Sequence, residues 1–342
     1  MRRIGRSWRV GMAATMAALL AIAVVAAPSG ATSGGAGVSA SCTPAGNVEA
    51  IIDDSGSMAI TDANTLRVQA MGLLINTLPP KTLLGAVEFG SGSSETPAAS
   101  TVFPPEPVGP NATTMKTALE AVVKSDSGAT DYNSAFAKAD ADDPNSQARI
   151  FLTDGGHNEG TYTEAHLGHN VPTYVIGFGT GLTLEEDRAR LQKIAADTGG
   201  QVFQLDDNTQ LQPVMNKIGA ALTCQTPPRE FEDLLKQGQS KTHTIAVGAS
   251  TKVLQIALSW ASPQDVFKIG RLKLIAKGKV VAAGRPKIAK LKVRKASSAT
   301  FAVAKVSGLR KGTLRFSVKA AKIGSGEPQV KLTTQVGRGA GR

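Results

Sequence analysis

The chain has 342 residues, a formal net charge of +11 and only 4% aromatic residues. This length suffices for two domains with a core each. The low aromatic content excludes cores built mainly on rings, so Val, Ile, Leu and Ala must fill them.

The N-terminal segment has the pattern of a secretory signal. Four arginines in residues 1–10 precede an apolar run over residues 12–27, and small residues follow. A membrane span needs about 20 apolar residues, so this run is too short to stay in a bilayer. No second run of membrane length follows. We expect a signal peptide over residues 1–31 and a secreted protein, free or associated with the cell wall, with no integral membrane segment after signal removal.

The most informative stretch is VEAIIDDSGSM, residues 48–58. Its apolar half predicts a buried strand, which delivers Asp53, Ser55 and Ser57 at alternate positions onto a glycine turn. Small hard dications prefer oxygen ligands in near-octahedral order. One carboxylate and two hydroxyls on a tight turn supply half of such a shell without neutralising the ion. The remaining ligands should therefore come from elsewhere in the chain.

Beyond this stretch, short apolar strands alternate with amphipathic segments of helical length as far as Leu222. This alternation predicts an α/β fold with a doubly wound, mostly parallel sheet. The predicted helices are 65–78, 112–123, 132–139, 184–198 and 211–222, and the predicted strands after the first are 83–89, 150–153, 173–177 and 201–204.

Two further loops carry oxygen donors. Thr130 lies in SGATD just before a predicted helix, and Asp154 directly follows a predicted strand. Ligands of an open parallel sheet bind outside the carboxyl ends of its strands, so these two loops should meet the first one. We predict a divalent metal site formed by Asp53, Ser55, Ser57, Thr130 and Asp154.

These five positions resemble the metal-ion-dependent adhesion site of von Willebrand factor type A domains, which has a D-x-S-x-S motif and a separate Thr and Asp. The resemblance covers about Val48 to Leu222. It implies Mg²⁺, or Mn²⁺ or Ca²⁺, bound directly by the three hydroxyls, while the two aspartates hold the site and its waters. It also implies an open coordination position that an Asp or Glu of a partner protein fills.

Only two cysteines occur, and they bracket the segment that carries the resemblance. We predict a disulfide between Cys42 and Cys224 that closes a von Willebrand factor type A domain over residues 43–224, because an exported protein meets an oxidising compartment. Such a link would contribute about 2 to 5 kcal/mol to stability. Two unrelated free thiols are the alternative.

The sequence QTPP at residues 225–228 breaks the α/β pattern and begins a predicted linker over 225–240. Beyond it, runs such as RLKLIAK and TLRFSVK alternate with period two, which predicts a smaller all-β sandwich domain over 241–337. Its opening, TIAVGASTKVLQIALSW, resembles a pre-peptidase C-terminal type sandwich of secreted bacterial proteins. Only Asp265 remains of the acidic cluster expected after the tryptophan, so we carry over no calcium site.

The two halves of the chain have opposite charge. Residues 32–228 contain 10 Lys and Arg against 22 Asp and Glu, whereas residues 229–342 contain 24 against 5. We hypothesise that basic side chains on outer strand faces bind a polyanion, which for a secreted protein is a cell-wall or other anionic polymer or lipid rather than nucleic acid. The alternatives are solubility with edge-strand protection, or docking on the acidic domain of the same or a neighbouring chain. The basic residues concerned are Arg271, Lys273, Lys290, Lys292, Arg294, Arg315 and Lys319.

Together these features predict a secreted adhesion or scaffold protein that binds protein partners through a metal ion. The sequence has no nucleophile elbow, zinc-ligand spacing or dinucleotide-binding fingerprint, so we expect no enzymatic activity. Two alternatives stay open. One is an accessory subunit or non-catalytic remnant of a secreted hydrolase, and the other is a cell-envelope component whose metal site locks its assembly.

Overall fold

A computed structural model describes residues 42–90, 98–124, 128–178, 184–205, 210–225, 228–283, 289–297, 299–326 and 329–338. The predicted signal peptide and Ser127 of the SGATD loop lie outside these ranges. Within the described part, no helix is both long and apolar enough to cross a membrane.

The strands of the first half form one sheet, which we call sheet A. They are β1 (Asn47–Asp53), β2 (Leu83–Phe89), β3 (Ala99–Pro107), β4 (Ala148–Thr153), β5 (Thr173–Phe178) and β6 (Gln201–Leu205). Their order is β3-β2-β1-β4-β5-β6, and all neighbours are parallel except β3, which pairs antiparallel with β2 at the edge. Every residue of β1 is buried, as expected for an interior strand of a parallel sheet covered on both faces.

Helices cover both faces of sheet A. A single turn, α1 (Met58–Thr61), follows the loop after β1. The longer helices α2 (Leu66–Thr77), α3 (Val108–Val122) and α6 (Leu211–Leu222) pack on one face, and α4 (Tyr132–Asp142) and α5 (Glu185–Thr198) pack on the other. Because side chains alternate along a strand, Ile52 of β1 joins the first core and Ile51 the second. This arrangement confirms the predicted doubly wound α/β fold.

The two ends of the α/β half are tied together. The predicted disulfide joins Cys42 to Cys224 across 182 positions of sequence. Next to it, the amide N–H of Ala45 donates to the carbonyl oxygen of Leu222 at 2.8 Å. Both links lie at the start of β1, so the closure is at the opposite end of this strand from Asp53.

The second half is all-β, as predicted. Its described strands are β7 (Arg229–Leu234), β8 (Ser240–Val247), β9 (Thr251–Ser259), β10 (Val266–Ala276), β11 (Lys279–Ala283), β12 (Ala289–Lys290), β13 (Lys292–Ser297), β14 (Phe301–Ser307), β15 (Gly312–Lys322) and β16 (Gln329–Arg338). Sheet B has the order β13-β14-β9-β16-β7, and sheet C has the order β12-β11-β10-β15-β8. Alternate residues of both sheets share one apolar core, which makes this half a sandwich.

Two expectations about the second half need correction. Residues 229–234, placed in the predicted linker, form β7, because they pair along their length with β16. The seven basic residues assigned to outer strand faces are also divided between sheets, since Lys290 lies on β12 of sheet C while Lys292 and Arg294 lie on β13 of sheet B. Alternation predicts the side of a strand but not the sheet to which the strand belongs.

The sandwich packs on the α2 and α6 side of the first half. Leu73 of α2 forms a small buried cluster with Ala257, Phe301 and Val303 of sheet B. Two buried side-chain hydrogen bonds join α6 to the same sheet: Gln212 to Thr300 at 2.7 Å and Asn216 to Thr333 at 2.8 Å. In addition, the Lys305 ammonium donates to the carbonyl oxygen of Thr77 at the end of α2, at 3.0 Å. The halves therefore share a packed interface, in which the amide N–H groups of Gln212 and Asn216 have partners but their buried side-chain oxygens accept no hydrogen bond within the described structure.

Candidate metal centre

The fold brings the two predicted aspartates to one point of sheet A. Asp53 is the last residue of β1, and Asp154 directly follows β4. These strands are neighbours, and the strand order of the sheet reverses between them. At such a reversal the loops after the two strands leave in opposite directions and open a crevice, where open α/β sheets bind their ligands.

Asp53, the last residue of β1, holds the loop that follows it in place. Asp53 accepts hydrogen bonds from the backbone N–H of Ser55 at 2.8 Å and from the Thr153 hydroxyl of β4 at 2.6 Å. Gly90, after β2, has a φ of +119°, and a Cβ there would lie only 2.4 Å from the Ser55 nitrogen. The absence of a side chain at Gly90 therefore allows the second loop to approach the first closely.

Asp154 accepts hydrogen bonds from hydroxyl groups of the loop after β1 and of α1. The Ser57 hydroxyl donates to one of its carboxylate oxygens at 2.7 Å, and the Thr61 hydroxyl donates to the other. The hydroxyl oxygens of Ser55 and Ser57 are 3.2 Å apart and share a further hydrogen bond. The carboxylate and both serines of the motif thus form one connected group.

Thr130 reaches the same group from a third loop. Asn158 fixes the Thr130 backbone from both sides, because its side-chain oxygen accepts from the Thr130 N–H at 2.8 Å and its own N–H donates to the Thr130 carbonyl at 3.0 Å. A Cβ placed on Gly155 would lie 3.6 Å from the Thr130 hydroxyl oxygen and 3.8 Å from that of Ser57. The glycine therefore leaves a small space with two hydroxyl oxygens beside it.

The charges of the site are unbalanced. Asp53 and Asp154 are both 0% exposed, and within the described residues neither carboxylate forms an ion pair. Burial, and then the charge of Asp154, raise the pKa of Asp53 to about 6, although hydrogen bonds from Ser55 and Thr153 oppose the shift. Two buried carboxylates without a basic partner are costly unless a cation neutralises them.

The donor set suits a hard divalent cation. Carboxylate and hydroxyl oxygens are the ligands that Mg²⁺, Mn²⁺ and Ca²⁺ prefer, and the three hydroxyls add no charge. Among the described residues, no three His, Cys, Asp or Glu side chains are placed to hold a metal by themselves. The fit of this site to an ion therefore depends on Ser55, Ser57 and Thr130 as well as on the two aspartates.

A second buried network under the loop was not predicted. Asp54 faces away from the candidate centre and pairs with Arg67 of α2 at 2.5 Å. Arg67 also pairs at 3.0 Å with Asp62, whose other oxygen accepts from the N–H of Leu66 at the start of α2. This network fixes α1 and α2 below the loop. Its only signals in the sequence are the doubled aspartate and the aspartate just before a helix.

No protein-family model matches the chain, and no curated protein matches it. Solved structures that align with it include a von Willebrand factor type A protein from Catenulispora acidiphila, 16% identical with a TM-score of 0.42, over 85% of this chain and 64% of that one. The pilus adhesin SpaC from Lactobacillus rhamnosus GG is 13% identical with a TM-score of 0.42, over 85% of this chain and 44% of that one.

A third aligned structure is proximal thread matrix protein 1 from the mussel byssus with a zinc-occupied MIDAS motif. It is 16% identical with a TM-score of 0.41, over 58% of this chain and 51% of that one. The chain thus spans less than two thirds of the length of each of these three proteins.

Proposed function

We propose that this chain is a secreted von Willebrand factor type A protein that binds a protein partner through a divalent cation. The observation that supports this most directly is the convergence of two buried, unneutralised carboxylates and three hydroxyls from three loops at the strand-order reversal of sheet A. A site of this kind is suited to binding rather than to catalysis, so we propose no enzymatic role.

Each residue of the site has a definite part in this proposal. Ser55, Ser57 and Thr130 would hold the ion with neutral oxygens, while Asp53 and Asp154 keep the loops in place and balance the charge. A bound Mg²⁺ or Mn²⁺ would supply the positive charge that attracts a carboxylate of the partner. Both aspartates, Ser55 and Thr130 are buried, whereas Ser57 is partly exposed, so the partner would approach the ion from the Ser57 side.

An exposed apolar side chain lies close to the candidate centre. Ile60 is 85% exposed and belongs to α1, three residues after Ser57. A large apolar side chain in water gains free energy when a partner covers it, by about 25 cal/mol per Å² of buried area. We propose that Ile60 contacts the partner beside the ion and adds apolar affinity to the metal-mediated contact.

Calorimetric titration of the chelator-treated protein with Mg²⁺, Mn²⁺ and Ca²⁺ tests the metal part of the proposal. Asp154→Asn keeps the shape of the side chain but removes its charge and should abolish binding of the ion. Asp197→Asn is the matched control, because Asp197 lies on the surface at the end of α5 and pairs only with Lys193 in the described structure. Equal uptake by both variants would rule out the proposed ion site.

A pull-down from the extracellular surface fraction of the source cells tests the partner part. Partner capture should require Mg²⁺ or Mn²⁺, fail in Ser57→Ala and persist in Thr114→Ala, which removes an exposed hydroxyl on α3. Thermal unfolding should be followed in the same buffers. Should chelator lower the melting temperature without releasing any partner, the ion would be structural and the adhesion proposal would be wrong.

We further propose that the basic sandwich attaches the protein to an anionic polymer at the cell surface, which would place the binding domain outside the cell. The supporting observation is the charge contrast between the halves, with 24 basic and 5 acidic residues beyond position 228. Retention on isolated cell envelopes should fall steeply as salt rises, since such binding depends on counterion release. Retention that does not change with salt would contradict the proposal.

A further inference from the structure

The outer face of sheet C carries like charges directly opposite each other. In the antiparallel pairing of β10 with β15, Lys268 lies opposite Lys319 and Lys273 lies opposite Arg315. All four side chains are exposed, whereas their neighbours in sequence, such as Phe267 and Phe316, are buried in the sandwich core. We call the exposed side of β8, β10 and β15 the basic face.

Such pairs work against the stability of the sheet. Side chains directly opposite on neighbouring strands are about 5 Å apart, and like charges at this distance are destabilising. A sheet surface selected for stability alone would place an opposite charge or a β-branched residue at one position of each pair. Stability of the sheet therefore does not explain why two such pairs occur on the same two strands.

Edge protection does not supply the reason for three of the four residues. Lysines discourage aggregation when they stand on an edge strand, whose backbone groups are unpaired. Here β15 lies between β10 and β8, and β11 pairs with β10 over Lys273–Ala276, so Lys273, Arg315 and Lys319 occupy interior positions. The part of β10 that carries Lys268 pairs with β15 alone among the described strands. Of the two sequence-based alternatives, protection of an edge is thus excluded for Lys273, Arg315 and Lys319 but not for Lys268.

The charges of the basic face are available to a ligand. The strands of sheet C contain no Asp or Glu at all. None of the four basic side chains forms an ion pair in the part of the chain that the structure describes. Docking on the acidic half of the same chain is also excluded for these residues, because that half packs on sheet B through Phe301 and Val303.

Hydroxyl groups complete the basic face. On β8, Thr244 lies opposite Arg315, Thr242 opposite Ser317 and Ser240 opposite Lys319. The three β8 hydroxyl residues are exposed. Ser317 stands between the two charged pairs, opposite Gly270, which has no side chain above the sheet. Four residues of strand separate Arg315 from Lys319, which corresponds to about 13 Å along the strand.

From this arrangement we infer that the basic face binds a linear phosphodiester polymer of the cell surface, lying along β10 and β15. The polymer meets the two charged pairs in turn, with the exposed hydroxyls of β8 alongside them and Ser317, only 8% exposed, between them. Three of the four cations are lysines, which bind phosphate as point charges, and Arg315 can bind phosphate oxygens in a bidentate manner. Serine and threonine hydroxyls are further donors to phosphate oxygens. This inference rests on the proposed attachment of the sandwich to a surface polymer. It identifies the surface of the sandwich that binds and the chemical class of the polymer.

The experiment measures binding of the mature protein to fluorescent poly(glycerol phosphate) across a range of salt concentrations. The test variant is Lys273→Gln/Arg315→Gln, and the control is Lys236→Gln/Lys252→Gln, which removes the same charge from exposed residues off the basic face. The test variant should lose on the order of tenfold or more in affinity at low salt, and its slope of log affinity against log salt should fall by about 1 to 2. The control should match the wild type.

Several outcomes would overturn the inference. Equal losses in both double variants would show a general charge effect and not a site. A lower melting temperature in the test variant would show a structural role, because removal of a like-charged pair should leave that temperature unchanged or raise it. Equal affinity for a carboxylate polymer such as polygalacturonate, or tighter binding to phosphatidylglycerol vesicles, would contradict the assignment to a phosphodiester polymer. Tighter binding to duplex DNA would contradict the assignment to a polymer of the cell surface.

The two proposals can fail separately. Polymer binding should persist in excess chelator and in Asp154→Asn, because the basic face contains no part of the candidate metal centre. Loss of polymer binding under either condition would assign that binding to the centre and overturn the inference. Conversely, a basic face that fails to bind polymer would leave metal-dependent partner capture by the α/β half unchanged.

Discussion

A carboxyl group buried within sheet A offers the sharpest quantitative test of the structure. Glu49 lies in β1, is 0% exposed, and neither of its carboxyl oxygens accepts a hydrogen bond within the described structure. It fits there because its partner in β2 is Gly85, where a Cβ would lie 2.0 Å from a Glu49 carboxyl oxygen. Burial first, and then the charges of Asp143 and Asp142, raise the pKa of Glu49 from 4.5 to about 9.

The raised pKa fixes the sign and size of a pH effect. Between pH 4.5 and 9 the native state keeps a proton on Glu49 that the unfolded chain releases, so stability falls as pH rises through this window. Each unit of pH costs about 1.4 kcal/mol, which amounts to about 3 kcal/mol at pH 7 and about 5 kcal/mol at pH 8. Glu49→Gln cannot ionise and should recover these amounts.

Urea unfolding of the wild type and Glu49→Gln at pH 5, 7 and 8 measures the difference. The variant should be more stable by about 1, 3 and 5 kcal/mol in turn, and the two proteins should converge near pH 4. Comparison of the two proteins removes the contribution of the other titrating groups. A difference that stays constant with pH would show that Glu49 is ionised in the native state, and the burial argument would be refuted.

Four further substitutions test other parts of the structure. Gly155→Ala puts a methyl group beside two hydroxyls of the candidate centre at ordinary contact distance, so calorimetry should show Mg²⁺ affinity about tenfold lower with little change in stability. Ile60→Ser should weaken partner capture but leave Mg²⁺ affinity unchanged. Cys42→Ser/Cys224→Ser should lower the free energy of unfolding by about 2 to 5 kcal/mol. Phe301→Ala should cost about 3 to 5 kcal/mol and expose the joint between the halves to protease.

Much of the α/β half could be predicted because its elements have strong local signals. The helix predicted over residues 211–222 has the bounds of α6, and the helix predicted over 184–198 differs from α5 by one residue. By contrast, β3 was not predicted, since Pro104 and Pro105 argue against a strand. The prolines are tolerated because β3 is an edge strand, where a missing N–H costs little. That exception depends on the sheet order, which no local pattern contains.

The candidate centre likewise combines features that local sequence patterns predict with contacts that they do not. Its five predicted residues come together because strand-end loops of a parallel sheet share an edge, which the alternation of strands and helices already implies. The features that were not predicted are contacts between distant positions. Examples are the hydrogen bonds that the Thr153 hydroxyl donates to Asp53 and the Thr61 hydroxyl donates to Asp154. Whether an ion binds there stays a prediction that the titrations above will test.

The disulfide at the base of the α/β half determines how the chain responds to tension. An unravelled polypeptide lengthens by up to about 3.5 Å per residue, so the 182 positions between the two cysteines could add roughly 600 Å of slack. A pull between the segments before Cys42 and after Cys224 passes through the covalent bond and bypasses everything enclosed by it. Mechanical load along this line therefore does not act on the enclosed fold, and the disulfide makes this half an inextensible joint in the molecule.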